Sequence, residues 1–153
     1  MPLSAGIPAP DFELFDDTNT PRKLSDFHGK NVILYFYPED DTPGCTKEAC
    51  SFRDAFAQFK RRNIRILGVS VDSEASHSKF TAKYKLPFTL IADPDHAIAD
   101  AYGVYGEKKF MGRTYMGVKR ITYLIDEKGK IKKVFEKVKP EEHAQEVLDT
   151  FAD

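Results

Sequence analysis

Apolar residues recur along the chain with two different periods, and the changes from one to the other mark out its elements. After a proline-rich entry (Pro2, Pro8, Pro10), residues 11–15 alternate polar and apolar side chains as a short edge strand, and DDTNTP (16–21) supplies a turn. Residues 30–37 (KNVILYFY) form an apolar, β-branched and aromatic run, the composition of a central strand covered on both faces, and Pro38 ends it. Beyond the turn-forming EDDTPG, residues 45–62 place Cys45, Ala49, Phe52, Phe56 and Phe59 at the spacing of one helix face. Residues 64–71 read as a second strand, 74–85 as a second helix and 88–92, after Pro87, as a third strand. Asp95 is placed to cap a short helix reaching Tyr102, which Gly103 ends. Residues 121–125 and 130–138 flank DEKG, a hairpin signal with Gly129 available for positive φ. Pro140 suits the first turn of a last helix whose Ala144, Val147, Leu148 and Phe151 make an apolar stripe.

The order β, α, β, α, β, α, β, β, α predicts the α/β class with a thioredoxin-like fold. Its central sheet is mostly parallel or mixed, with a C-terminal antiparallel pair, and is flanked by helices. No repeat, low-complexity tract or linker divides the chain, so one domain over residues 1–153 is expected.

Charge narrows the set of partners. The 23 lysines and arginines are interspersed with 24 aspartates and glutamates for a net −1, which lacks the footprint of a dedicated nucleic-acid binder. The longest apolar stretch, residues 32–37, is far shorter than the ~20 residues a bilayer span needs, and no membrane partner is expected. MPLSAGIPAPDF has neither a cationic start nor an apolar h-region, which makes a cytoplasmic protein the simplest reading.

The two cysteines, Cys45 and Cys50, lie five residues apart in TPGCTKEAC. In a reducing compartment two close thiols point to reactivity or to metal binding. Structural zinc sites take four paired Cys or His ligands, whereas His28, His77, His96 and His143 are scattered singly, so no metal is expected. The predicted strand, turn and helix put Cys45 in the first helical turn, outside a strand's C-terminal end. There free N–H groups and the helix dipole favour the thiolate, the nucleophilic form. A packed core thiol is the alternative. At ~100° per residue Cys50 lies about 140° around the helix from Cys45, with the Cα atoms roughly 8.7 Å apart. A bridge needs less than ~7 Å, so a disulfide between them would have to unwind the first turns and would be transient. Thr42 is either a hydroxyl partner for the thiol region or a turn and capping residue. Arg120, on the same strand face as Thr122 and Leu124, either reaches the crevice or is a solvated charge.

The segment PEDDTPGCTKEAC (38–50) resembles the peroxiredoxins, specifically the PrxQ or bacterioferritin-comigratory-protein group, and the resemblance extends over GIPAPDFEL, NVILYFYP, GVSVDS, LIADPDHAIADAYGV and RITYLID. It implies a thiol peroxidase for hydrogen peroxide and organic hydroperoxides, using no organic cofactor, with Cys45 as peroxidatic and Cys50 as resolving cysteine. Thr42 and Arg120 would hold the peroxide oxygens and the thiolate, and Pro38 would shield the pocket. Glu48 matches a recurrent acidic position that orients a basic side chain. The implied partners are a hydroperoxide and thioredoxin or a similar dithiol, and the implied state is a monomer. A thioredoxin-type exchanger is disfavoured because C-x-x-x-x-C replaces C-x-x-C. A peroxide-responsive redox sensor or binding module, switching through a Cys45–Cys50 disulfide, is the alternative function. Asp93 and Asp95 read as turn and cap residues, and the histidines as surface or helix residues. Phe110, Met111, Tyr115 and Met116, around Gly112 and Gly117, read as an apolar substrate rim, a docking surface or the packing of a flexible hairpin.

Overall fold

Burial of alternate residues on β3 (Asn31–Phe36) organises the molecule. The structure, a computed structural model, describes residues 2–15 and 19–151. Ile33, Tyr35 and Tyr37 enter one hydrophobic cluster, while Val32, Leu34 and Phe36 enter another on the opposite face. β3 is therefore covered on both sides, which requires the continuous apolar run its sequence shows.

Parallel to β3 runs β4 (Ile64–Ser70), which pairs in turn with β5 (Thr89–Ala92), also parallel. On the other side β8 (Ile121–Ile125) and then β9 (Ile131–Phe135) add antiparallel, giving the order β5-β4-β3-β8-β9. The sheet is thus evenly mixed: the chain crosses over twice through helices but returns to β3 from the opposite direction. α1 (Pro43–Arg61), α2 (Glu74–Tyr84) and α4 (His143–Thr150) contribute to the first cluster, and the short α3 (Ala97–Ala101) packs against the second.

Three strands escape the periodicity reading. β1 (Glu13–Phe15) pairs with β2 (Pro21–Lys23) as a separate hairpin, and residues 16–18 of the turn expected between them lie outside the described residues. β6 (Tyr105–Phe110) and β7 (Arg113–Val118) form a second two-stranded sheet. Met111 and Gly112, both at positive φ, close it as a two-residue turn. These strands are mostly exposed, so no buried face imposes an alternating pattern. Two capping expectations also shift. α3 is capped chiefly by Asp93, whose carboxylate accepts from the N–H groups of Ile98 and Ala99, while Asp95 makes only a longer contact with Ala97. Pro140 belongs to a turn three residues ahead of α4.

Gly68 marks the tightest point beneath the site. A Cβ there would lie 2.8 Å from Cζ of Tyr35 and 2.9 Å from Cδ2 of Leu90. The Tyr35 ring, stacked on Phe52 at 4.9 Å, has nowhere to move. Gly68→Ala should lose about 1–3 kcal/mol of stability in denaturant titration. Wild-type stability would show that the ring yields freely.

Candidate active site

The end of β3 delivers the chain into a tight loop, and the loop delivers it into α1. Pro38 cannot donate to the ladder, and Thr42 takes an extended conformation at the N-cap with Pro43 as the first helical residue. Cys45 therefore stands at the third position of the helix, with its side chain on the buried face, 1% exposed. Cys50 is half-buried on another side of the same unbroken helix, and both thiols are free. This is the division the helical spacing predicts.

Thr42 occupies the capping position without capping. Its hydroxyl donates to the carbonyl of Glu39 at 2.9 Å, closing the loop on itself and leaving the oxygen lone pairs available as acceptors.

Arg120, the residue before β8, turns towards α1, which decides between the two readings its sequence position left open in favour of the crevice. One guanidinium nitrogen, Nη2, donates to Cys45 Sγ at 3.3 Å, and the other, Nη1, donates to Glu48 Oε1 at 2.7 Å. Gly44 makes room for it, since a Cβ there would lie 3.1 Å from Nη2. Glu48 is fully buried, one turn beyond Cys45, and its second oxygen has no hydrogen-bond partner. Burial raises the Glu48 carboxyl to about 7, outweighing the opposing pull of Arg120. For Arg120, burial opposes the charge, but Glu48 and Cys45 more than offset it and hold the group above its usual range. The cation next to the thiol is permanent.

Pro38 and Arg120 line a cavity of about 580 Å³ with Pro2, Ile121, Val138, Glu136 and the cations Lys108, Lys119 and Lys137, and Cys45 and Thr42 are not part of this lining. Lys108 is half-buried, donates to the Val118 carbonyl, and is held below its usual range by burial and by Arg120. A wider cleft, about 1150 Å³ between the β1–β2 hairpin and α2, includes none of Cys45, Cys50, Thr42, Arg120 or Pro38.

A second polar cluster braces the loop, and its residues gave no functional signal in the sequence. Asp40 accepts from the hydroxyls of Tyr37 (2.5 Å) and Ser76 (2.8 Å) and faces His77 Nδ1 at 2.7 Å, while His77 Nε2 faces the Ile91 carbonyl at 3.0 Å. Burial alone would raise the Asp40 carboxyl, yet the bonds from His77 and Tyr37 hold it below the usual carboxylate range. Asp72 joins by accepting from the Asp40 N–H and the Ser70 hydroxyl. Donor atoms of Asp40, Asp72 and His77 lie within 4.8 Å of one another, a metal-ligating set in type, but each is engaged by protein groups that tie the loop to α2 and β4. His77 and His143 are helix residues as expected, but both are buried. In sequence Asp40 is one of three acidic residues in a turn, and only the fold shows that it points inward.

Fold and site together define a thioredoxin-fold protein built around a reactive cysteine at the start of a helix. Comparison with known proteins agrees. The AhpC/TSA family model matches residues 5–134. Peroxiredoxin Bcp of Bacillus subtilis (strain 168) is 47% identical over 153 residues, covering 100% of this chain and 98% of that protein. Peroxiredoxin Bcp of Escherichia coli (strain K12) is 45% identical over 148 residues, 97% of this chain and 95% of that one. The structure of Xanthomonas campestris bacterioferritin comigratory protein, described with its alkyl peroxide reduction activity, superposes with a TM-score of 0.88 at 35% identity, covering 97% and 96% of the two chains. The chain belongs to the AhpC/TSA family and, within it, to the Bcp/PrxQ peroxiredoxins.

The raised Glu48 carboxyl has a measurable effect on stability. Its folded value, about 7, lies above the ordinary 4.5, so the folded chain holds an extra proton between the two. That stabilisation is complete below the lower value and is lost as pH rises through the upper one. Relative to Glu48→Gln, which carries no such proton, wild-type stability should fall with pH in this window by up to about 1.4 kcal/mol per unit. Parallel stability profiles would show that Glu48 stays ionised throughout.

Proposed function

We propose that the protein is a thiol peroxidase in which the Cys45 thiolate attacks hydrogen peroxide or an organic hydroperoxide. The observation that carries this reading is the Arg120 nitrogen 3.3 Å from Cys45 Sγ, at the first turn of α1 and beside an open cavity. Sulfur attacks the distal peroxide oxygen: the S–O bond forms as the O–O bond breaks. The leaving oxygen takes a proton to give water or an alcohol, and Cys45 is left as a sulfenic acid. Negative charge moves from sulfur to the leaving oxygen during this step. Arg120 stabilises it at both ends, and the Thr42 oxygen accepts a hydrogen bond from the incoming hydroperoxide. Pro38 walls the cavity and limits water around the sulfur.

Cys50 then resolves the intermediate. Its thiolate attacks the Cys45 sulfur, the S–S bond forms, and hydroxide leaves and is protonated to water. In an intact helix the two Cα atoms are roughly 8.7 Å apart, beyond the ~7 Å limit for a bridge. The first turns of α1 must therefore unwind, breaking the Arg120 contacts, before resolution. A thioredoxin-type dithiol completes the cycle by exchange. Because both cysteines are on one chain, a monomer suffices.

Intact mass after one equivalent of hydrogen peroxide tests both cysteines. Wild type should lose about two mass units as a disulfide forms, Cys50→Ser should give a trappable sulfenic acid, and Cys45→Ser should not react. An unreactive wild type would make Cys45 a packed core thiol. Rapid turnover with thioredoxin and its reductase is expected; a single stoichiometric oxidation followed by tight partner binding would instead favour a redox sensor.

Arg120→Lys keeps the charge but cannot bridge Cys45 and Glu48 with a planar fork. Its rate constant with peroxide should fall by about 10²-fold, on the scale of losing one preorganised donor, read by stopped-flow competition. A rate within twofold of wild type would reduce Arg120 to a nearby charge.

A further inference from the structure

The β6–β7 hairpin carries chemistry that neither the fold nor the peroxidase site uses. Phe110 is 67% exposed, Met111 87%, Tyr115 46% and Met116 55%, four of the six exposed large hydrophobic residues among those described. Met111 is the most exposed of them, and it also sits at φ 51°, a left-handed position in a two-residue turn where Asn, Asp or Gly costs less. A methionine there is unfavourable for the backbone and for solvation alike, so folding does not account for it.

The strand register shows how these side chains are arranged. Phe110 pairs with Arg113 and Lys108 with Tyr115, which puts those four on one face of the ribbon. Met116 pairs with Glu107 and therefore lies on the other face, with Met111 at the tip. Apolar groups thus point out in several directions. A partner protein would cover one face, whereas immersion in a fluid apolar medium would cover all of them. Charge points the same way: within residues 105–119, Lys108, Lys109, Arg113 and Lys119 stand against Glu107 alone, in a chain whose net charge is −1. Lys109 and Arg113, both exposed, each stand two residues from Met111, about 7 Å along the ribbon, the depth at which a cation would meet headgroups if the tip entered the interface.

We propose that the hairpin tip is a peripheral docking element for anionic phospholipid membranes, with Phe110 and Met111 entering the interface and Lys109 and Arg113 contacting headgroup phosphates. This revises the expectation of no membrane partner. That expectation considered spanning, and no helix among the described residues is long and apolar enough to cross a membrane. An immersed tip needs no helix. Lys108 and Lys119, at the base of the hairpin, line the same cavity as Arg120, so docking would bring the cavity to the lipid surface.

Because the chain has no tryptophan, a single reporter can test this on the full-length protein. In Met111→Trp, emission should shift to the blue with phosphatidylcholine vesicles doped with phosphatidylglycerol and stay unchanged with phosphatidylcholine alone. Phe15→Trp, reporting from an exposed apolar residue on β1, should not respond. In co-sedimentation, Phe110→Ser/Met111→Ser should bind the anionic vesicles about tenfold or more weakly while keeping hydrogen peroxide turnover. Three results would each overturn the proposal: no blue shift with anionic vesicles at low salt, sedimentation that survives the double substitution, or a hairpin that ignores vesicles but binds a single-stranded oligonucleotide or an acidic protein.

Discussion

The site depends on one cation shared by two partners on the same helix. The Arg120 guanidinium spans Cys45 on α1 and Glu48 one turn further along the same helix, which ties the first turns of α1 to the start of β8. Burying a guanidinium is costly unless charged or hydrogen-bonding groups meet it. The fully buried Glu48 carboxyl group and the Cys45 sulfur meet that requirement from one side, while Arg120 also lines the cavity. Glu48 bears the cost, since burial raises its carboxyl even with Arg120 in contact. A clamp that is strong locally but costly in solvation can hold the helix start without locking it.

That balance suits a catalyst that needs two conformations. Attack on a peroxide requires the helix start to be folded, with Arg120 and Thr42 in place. Bridging Cys45 to Cys50 requires the same turns to open. Nearby, the Tyr37–Asp40–His77 cluster holds the loop ahead of Cys45 against α2 and β5, so that unwinding has a firm boundary on its N-terminal side. Further along the helix, Phe52 and Phe59 are fully buried in the core beneath the sheet and hold the remainder of α1 down. Only the stretch between these anchors is free to move cheaply.

The hairpin of β6 and β7 contrasts with this economy. Its strands pair only with each other, and it exposes apolar side chains while its base contributes Lys108 and Lys119 to the cavity mouth. The cavity is therefore shaped by two kinds of structure: a rigid wall from the sheet and α1, and a rim belonging to an element that packs little against the core.

Much of this was legible from residue order. The runs at 30–37 and 64–71, the helical stripe from Cys45 to Phe59 and the opposed placement of Cys45 and Cys50 follow from local periodicity, because burying one face of a strand or helix imposes period 2 or 3.6 on the sequence. The helix-start position of Cys45 follows from Pro43 and the preceding turn in the same way. Other features depend on residues distant in sequence. The even mixture of parallel and antiparallel pairs depends on the direction from which β8 returns to β3, and no single element records that. Asp40 looks like an ordinary surface acid until His77, 37 residues away in sequence, meets it inside the fold, and although the resemblance gave Glu48 a basic partner, only the fold brings Arg120 to it from 72 residues away. Periodicity shows which face of an element is buried, but partners for a buried charge come from packing, and that is set by the tertiary structure alone.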